Sequence, residues 1–196
     1  MVAKWKRTLL LSIIFTAVIG TAVVYADDIY ETIKAKQVSV SVNDDKLNSK
    51  SYEVNGRTLV PLDEVKDELQ AIVLKDGDQV NIYKPNVHMV VFKKINGNIS
   101  LFGSLQKGSK LGFEILTQVD NLEKEAHALK IVIVDPEGNH VHEEVHPLNL
   151  RDHFWYNSHV SLTFDKAGAY KVQAFLQVEK NGRYHLVSEK TIQSLS

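Results

Sequence analysis

The chain has 196 residues, with 23 Lys and Arg against 24 Asp and Glu, and it contains no Cys. This near-balance without a basic cluster makes nucleic acid an unsuitable partner, because phosphate binding needs clustered positive charge. The absence of Cys excludes disulfides, thiolate metal ligands and cysteine nucleophiles.

The first 26 residues have the pattern of a secretory signal peptide. Three basic residues, the last of them Arg7, precede an uncharged run that ends at Ala26, and Asp27-Asp28 follows. We therefore expect cleavage after Ala26 and a secreted or cell-surface location, with an uncleaved membrane anchor as the alternative. Only an uncleaved leader would contact the membrane. An exported chain without Cys is typical of a bacterial envelope protein.

We predict a linker at residues 27–37 and a small α+β domain at residues 38–95. Val38, Val40 and Val42 alternate with serines, which is typical of a half-buried strand. A hairpin is predicted at Asn55-Gly56, because a tight type I′ turn needs two positive φ angles. Pro61 predicts the start of a short helix, and a second hairpin follows it at residues 71–83.

The string Val54-Asn55-Gly56-Arg57-Thr58-Leu59-Val60-Pro61-Leu62 resembles the central motif of the copper amine oxidase N-terminal-like, or stalk, domain. The resemblance covers residues 38–93. The chain departs from the family pattern at Asp63, where Arg is usual, and at Gln70, where Gly is usual. This stalk domain occurs in exported bacterial proteins and carries neither copper nor catalytic residues. The resemblance therefore implies a surface spacer or interaction module.

Residues 97–196 predict an immunoglobulin-like antiparallel β-sandwich, after a short linker at residues 96–98. About seven strands with alternating or continuous apolar residues are separated by turns. Residues 165–170 resemble the turn before the sixth strand of such a sandwich, so Tyr170 is expected to be its corner tyrosine. The predicted fold class is mainly β, with a small α+β stalk-like domain followed by this sandwich.

The strand predicted at residues 140–146 contains a candidate metal site. His140, His142 and His146 have the same parity, and Glu144 shares their face. Imidazole and carboxylate groups are ligands of Zn and Cu. The alternative interpretation is a solvent-facing row of ordinary polar residues on an edge strand.

The aromatic run Phe154-Trp155-Tyr156 is flanked by His153 and His159. We expect Trp155 in the sandwich core with Tyr156 outside, because a domain without disulfides needs its large apolar groups inside. The alternative is an exposed recognition patch, for which Trp and Tyr are favoured.

The sequence contains no nucleophile elbow, phosphate-binding loop, dinucleotide fingerprint or zinc-hydrolase motif. We therefore predict no enzyme and no cofactor beyond the candidate Zn or Cu ion. The predicted function is a non-catalytic extracytoplasmic binding or scaffold protein whose partner is a protein or a cell-envelope component. The alternatives are an envelope metal-binding protein that uses the histidines, and a regulator or inhibitor of an exported enzyme.

Overall fold

The computed structural model describes residues 34–42 and 44–196, so the predicted signal peptide and most of the predicted linker lie outside the described residues. The described chain is mainly β, with a helix α1 (Leu62–Glu68) between its fifth and sixth strands. The strands in chain order are β1 (Ala35–Val38), β2 (Ser41–Val42), β3 (Asp45–Lys46), β4 (Ser51–Val54), β5 (Arg57–Leu59), β6 (Ile72–Asp76), β7 (Gln79–Tyr83), β8 (Asn86–Ile95), β9 (Asn98–Leu101), β10 (Ser104–Gln106), β11 (Lys110–Asp120), β12 (Ala126–Val134), β13 (His140–Arg151), β14 (Phe154–Thr163), β15 (Gly168–Gln177) and β16 (His185–Leu195).

The described residues form two compact units. We call residues 34–41 and 48–60 the N-terminal unit, and residues 42, 44–47 and 61–196 the sandwich unit. This division differs from the predicted domains 38–95 and 97–196, because α1 and the strands from β6 to β8 belong to the sandwich unit.

The N-terminal unit is a three-stranded sheet in the order β1-β4-β5. The predicted hairpin turn is confirmed, since Asn55 and Gly56 have φ angles of 51° and 73°. Two expectations are wrong. Residues 35–37 belong to β1, which pairs with β4, so they are not linker. The strand also does not run on to Val42, because β1 ends at Val38.

Helix α1 begins directly after Pro61, as predicted, and the Pro61 carbonyl accepts the main-chain N–H groups of Glu64 and Val65. Asp63 and Glu64 lie in the first turn, where the helix dipole favours acids. This helix has seven residues, and none of the described residues forms a helix of the length and apolarity that crossing a membrane requires.

The β6–β7 hairpin is anchored to the sandwich. Ile72 is buried within its core cluster, and Val73 is also buried. Arg183 Nη2 donates a hydrogen bond to the Val73 carbonyl at 2.6 Å. The hairpin was predicted as part of a separate stalk domain, but these contacts make it an extension of the sandwich.

The sandwich consists of two sheets, in the strand orders β10-β16-β15-β12-β13 and β14-β11-β8-β9. All pairs in them are antiparallel except β10 with β16. The inner faces of both sheets supply one core, which includes Phe113, Ile115, Ile131, Ile133 and Leu176. The prediction of a mainly β chain with an immunoglobulin-like antiparallel sandwich is therefore confirmed.

The predicted corner tyrosine is also confirmed. Tyr170 is fully buried, its hydroxyl accepts the Lys166 main-chain N–H at 3.1 Å, and it lies 3.2 Å from Asp165 Oδ1. The predicted linker at residues 96–98 is wrong, because Ile95 pairs with Asn98 across the turn between β8 and β9. β8, which pairs with β11 in the middle of the sheet, is a strand that the sequence pattern did not predict.

Candidate functional site

Trp155 lies on the outer face of the four-stranded sheet and is 71% exposed. Its position in β14 is opposite Gln118 of β11, which in turn is opposite His88 of β8. The expectation of a core Trp155 is therefore wrong. Because side chains alternate along a strand, Phe154 and Tyr156 point toward the core and Trp155 points outward.

Trp155 borders a shallow hollow of about 490 Å³. We call it the Trp155 hollow, and its lining is mainly apolar; the residues that line it are Leu116, Gln118, Asp120, His153, Phe154 and Trp155. Gln118 Nε2 donates to Asp120 Oδ2 at 2.9 Å, which holds the polar side of the hollow in place. Apolar exposure continues on the same face at Val90, the partner of Leu116 in the register.

A buried carboxylate lies beside this hollow on the same face. Glu114 Oε1 is 2.8 Å from Lys94 Nζ, and Glu114 Oε2 accepts a hydrogen bond from Asn157 Nδ2 at 2.5 Å. The hydrogen bond from Asn157 and then that from Lys94 hold the pKa of Glu114 below its usual value. His159 Nδ1 is 3.9 Å from Glu114 Oε1. Both oxygens of the Glu114 carboxylate are thus engaged by neighbouring side chains.

Within the predicted row, His142, Glu144 and His146 lie on the core side of the edge strand β13, because they are opposite the buried Ile133, Ile131 and Leu129 of β12. These three side chains therefore do not form the solvent-facing row of the alternative interpretation.

The imidazoles of His142 and His146 both approach Glu144. The Glu144 Oε2 atom is 3.4 Å from His146 Nε2 and 4.0 Å from His142 Nε2. The His146 ring stacks on Tyr156, with centroids 3.7 Å apart. Burial, and then the charge of Glu144, raise the pKa of Tyr156. We call these four residues the His–Glu cluster.

His140 does not join this cluster. Its Nδ1 is 3.5 Å from Glu143 Oε2, and Glu143 faces the opposite side of the strand from Glu144. A register shift between Ile133 and Val134 of β12 breaks the regular alternation there. Among residues 34–42 and 44–196, no group of three or more His, Asp or Glu side chains is arranged to hold a metal ion.

The remaining flanking histidine, His153, lies 2.6 Å from Asp152 and is exposed. A larger hollow, of about 530 Å³, lies elsewhere in the sandwich unit beside the C-terminal end of α1. Part of its polar lining is paired, since Glu189 contacts Lys171 at 3.3 Å and accepts a hydrogen bond from Gln173 at 2.8 Å.

Comparison with protein-family models and with curated proteins finds no match. Among solved structures, the CARDB domain of a Pyrococcus furiosus protein in complex with di-metal ions is similar at a TM-score of 0.36 and 10% identity, over 57% of this chain and 94% of that domain. An immunoglobulin-like protein from Pseudomonas aeruginosa is similar at a TM-score of 0.33 and 16% identity, over 64% of this chain and 98% of that one.

Proposed function

We propose that the chain is a non-catalytic binding or scaffold protein of the bacterial cell envelope, and that it contacts a protein partner through the Trp155 hollow. The observation that carries the proposal is the 71% exposure of Trp155 on a sheet face. The envelope location depends on the signal peptide predicted in residues 1–26. The stalk-like motif at residues 54–62 stays a prediction that agrees with this function.

The chemistry of the hollow suits protein recognition. A Trp ring offers a large rigid contact area with little side-chain entropy to lose, and Trp residues dominate many interface energies. Leu116 supplies further apolar surface, while Gln118 and Asp120 form a polar rim. This arrangement of an aromatic anchor within a polar border is the usual anatomy of an interface centre.

The charges beside the hollow support binding and not catalysis. Glu114 is held between Lys94 and Asn157, so its negative charge is already satisfied by fixed partners. A general acid or base needs a pKa near the working pH, whereas the pKa of Glu114 is lowered away from it.

Replacing Trp155 tests this function. The full chain and its Trp155→Ala variant would be incubated with solubilised envelope protein, and any partner recovered by the wild type would be titrated against both. We expect binding at least about thirtyfold weaker for the variant, which corresponds to the ~2 kcal/mol typical of an aromatic hot spot. Tyr52→Ala is the matched control, because Tyr52 is an exposed aromatic residue of the N-terminal unit. Equal binding by all three chains would exclude the Trp155 hollow as the contact.

A metal-binding function is the alternative, and the His–Glu cluster favours it. The Nε2 atoms of His142 and His146 are buried without a hydrogen-bond partner in the described part of the chain, and both lie near one carboxylate. Two imidazoles and a carboxylate are a ligand set that Zn accepts, although the side chains would have to move to converge on one ion. Calorimetric titration with Zn or Cu tests this. The alternative predicts one equivalent of binding that the His142→Ala and His146→Ala variants lose and the His88→Ala control retains.

A further inference from the structure

Strand β14 forms an unprotected edge of the four-stranded sheet. It is the end strand, and among the described residues it pairs only with β11, through ten consecutive pairs without a bulge. Residues 154–163 contain no Asp, Glu, Lys, Arg or Pro. Proteins normally protect such edges with charges, proline, bulges or short strands, because the unpaired N–H and C=O groups attract another strand.

The other three edges of the two sandwich sheets have such protection. β9 and β10 have only four and three residues. β13 is long, but it contains Pro147 and the adjacent acids Glu143 and Glu144, and its pairing with β12 has two register shifts. The contrast singles out β14 as the edge that is left open for pairing.

Two buried polar atoms on β14 have no hydrogen-bond partner among the residues that the structure describes. They are the Oγ atom of Ser158 and the Oδ1 atom of Asn157. Asn157 Nδ2 already donates to Glu114 of the neighbouring strand, so its Oδ1 lies on the other side of the amide group. Burying a polar group without a hydrogen-bond partner is unfavourable, so both atoms would be stabilised by a contact that the described residues do not provide.

We propose that β14 pairs antiparallel with β14 of a second copy of this chain, about a two-fold axis at Ser158. The two Ser158 side chains then face each other across the axis, where serine hydroxyls can hydrogen-bond. In the same register Asn157 lies opposite His159 of the second copy, whose ring N–H can donate to Asn157 Oδ1. Both unpartnered atoms thereby gain partners.

The same register pairs an aromatic with an aliphatic side chain at two positions on each side of the axis. It places Phe154 opposite Leu162, Tyr156 opposite Val160 and Trp155 opposite Ser161. Aromatic residues paired with aliphatic or β-branched residues are favourable cross-strand neighbours. Because the strand contains no Asp, Glu, Lys or Arg, no like charges of these residues meet. The pairing uses one edge from each copy, so it closes as a dimer and does not extend into a filament.

This inference does not depend on the proposed function, because it concerns the backbone edge of β14 and not a partner in the Trp155 hollow. A Trp155→Ala variant that loses its partner but still dimerises would support both. Dimerisation without any partner that binds at Trp155 would support the dimer alone.

Cysteine cross-linking tests the register, since the native chain contains no Cys. Ser158→Cys is a nearly isosteric change. The full chain that carries this substitution would be kept in detergent and oxidised with diamide. We expect a disulfide-linked dimer, because residues opposite each other on the axis have Cβ atoms about 4.5–5.5 Å apart, close to disulfide range. The control is Ser161→Cys, an exposed residue on the same strand whose copies would lie roughly 20 Å apart. All variants carry the same residues 1–33, so differences between them report on β14.

Sedimentation equilibrium tests the dimer without a cross-link. We expect His159→Lys to weaken self-association at least about tenfold, because it places two ammonium groups across the axis. The matched control is His88→Lys, the same change on the same face of the inner strand β8, and it should leave the dissociation constant unchanged. A wild type that stays monomeric at all concentrations would overturn the proposal. So would cross-linking of Ser161→Cys as efficient as that of Ser158→Cys, or a monomer that instead binds an extended peptide of another protein.

Discussion

At the scale of single residues, Asp135 is held by several polar contacts at once. Its carboxylate accepts hydrogen bonds from the main-chain N–H groups of Glu137 and Asn139, both at 2.9 Å, and lies 2.6 Å from Lys166 Nζ. These contacts fasten the turn between β12 and β13 to the loop that precedes β15. The hydrogen bond from Lys166 is the main cause that lowers the pKa of Asp135, followed by those from Asn139.

The lowered pKa predicts acid sensitivity. A carboxyl group with a lower pKa in the folded state stabilises the fold above its unfolded pKa, near 3.9, and this stabilisation is lost as the pH falls through the folded value. We expect the melting temperature of the wild type to fall between about pH 4 and pH 2. The Asp135→Asn variant should melt several degrees lower at pH 7 and lose less on acidification.

Circular dichroism melting curves across this pH range measure both effects. The control is Asp78→Asn, which removes an exposed carboxylate from the turn between β6 and β7. If Asp78→Asn and Asp135→Asn flatten the acid dependence equally, general charge and not the Lys166 contact is responsible.

At the scale of elements, periodicity in the sequence predicted most of the strands because each buries one face. In β12 and β15 the apolar residues run continuously or alternate along the strand. The structure buries those that face the core, which include Ile131, Ile133, Val172 and Ala174. Turn residues were equally informative, since Asn55 and Gly56 adopt the positive φ angles that their side chains permit.

Two elements could not be predicted because their patterns depend on distant partners. β8 buries Phe92 on one face and Met89 and Val91 on the other, so its sequence does not alternate cleanly. Its place between β11 and β9 is decided by long-range pairing. For Trp155, hydrophobicity predicted burial, but the parity fixed by Phe154 and Tyr156 decides the outcome.

The His–Glu cluster and the contacts of Glu114 could be predicted only in part, because they also depend on residues that are distant in the sequence. The shared face of His142, Glu144 and His146 follows from strand parity and is confirmed. The exclusion of His140 depends on a register shift that the sequence does not signal. Glu114 and Asn157 are 43 residues apart, and only the pairing of β11 with β14 brings them together.

For the whole molecule, the two units differ greatly in buried apolar surface. In the described part of the N-terminal unit, Ser51 is the one buried side chain, and β5 is exposed along its length. The sandwich unit contains a continuous core in which Leu129, Ile131 and Ile133 are fully buried. Because apolar burial is the main stabilising contribution to folding, the N-terminal sheet should open locally long before the sandwich unfolds.

Native-state hydrogen exchange on the full chain tests this difference. We expect the amides of β4 and β5 to exchange orders of magnitude faster than those of β12, since a small sheet without a buried face is marginally stable in water. The β6–β7 hairpin is the internal control: it has similar length, but Ile72 and Val73 are buried, so its paired amides should resemble those of the sandwich. Equal protection of β4 and β12 would mean that the two units unfold together, and the apolar burial within each unit would then not set its stability.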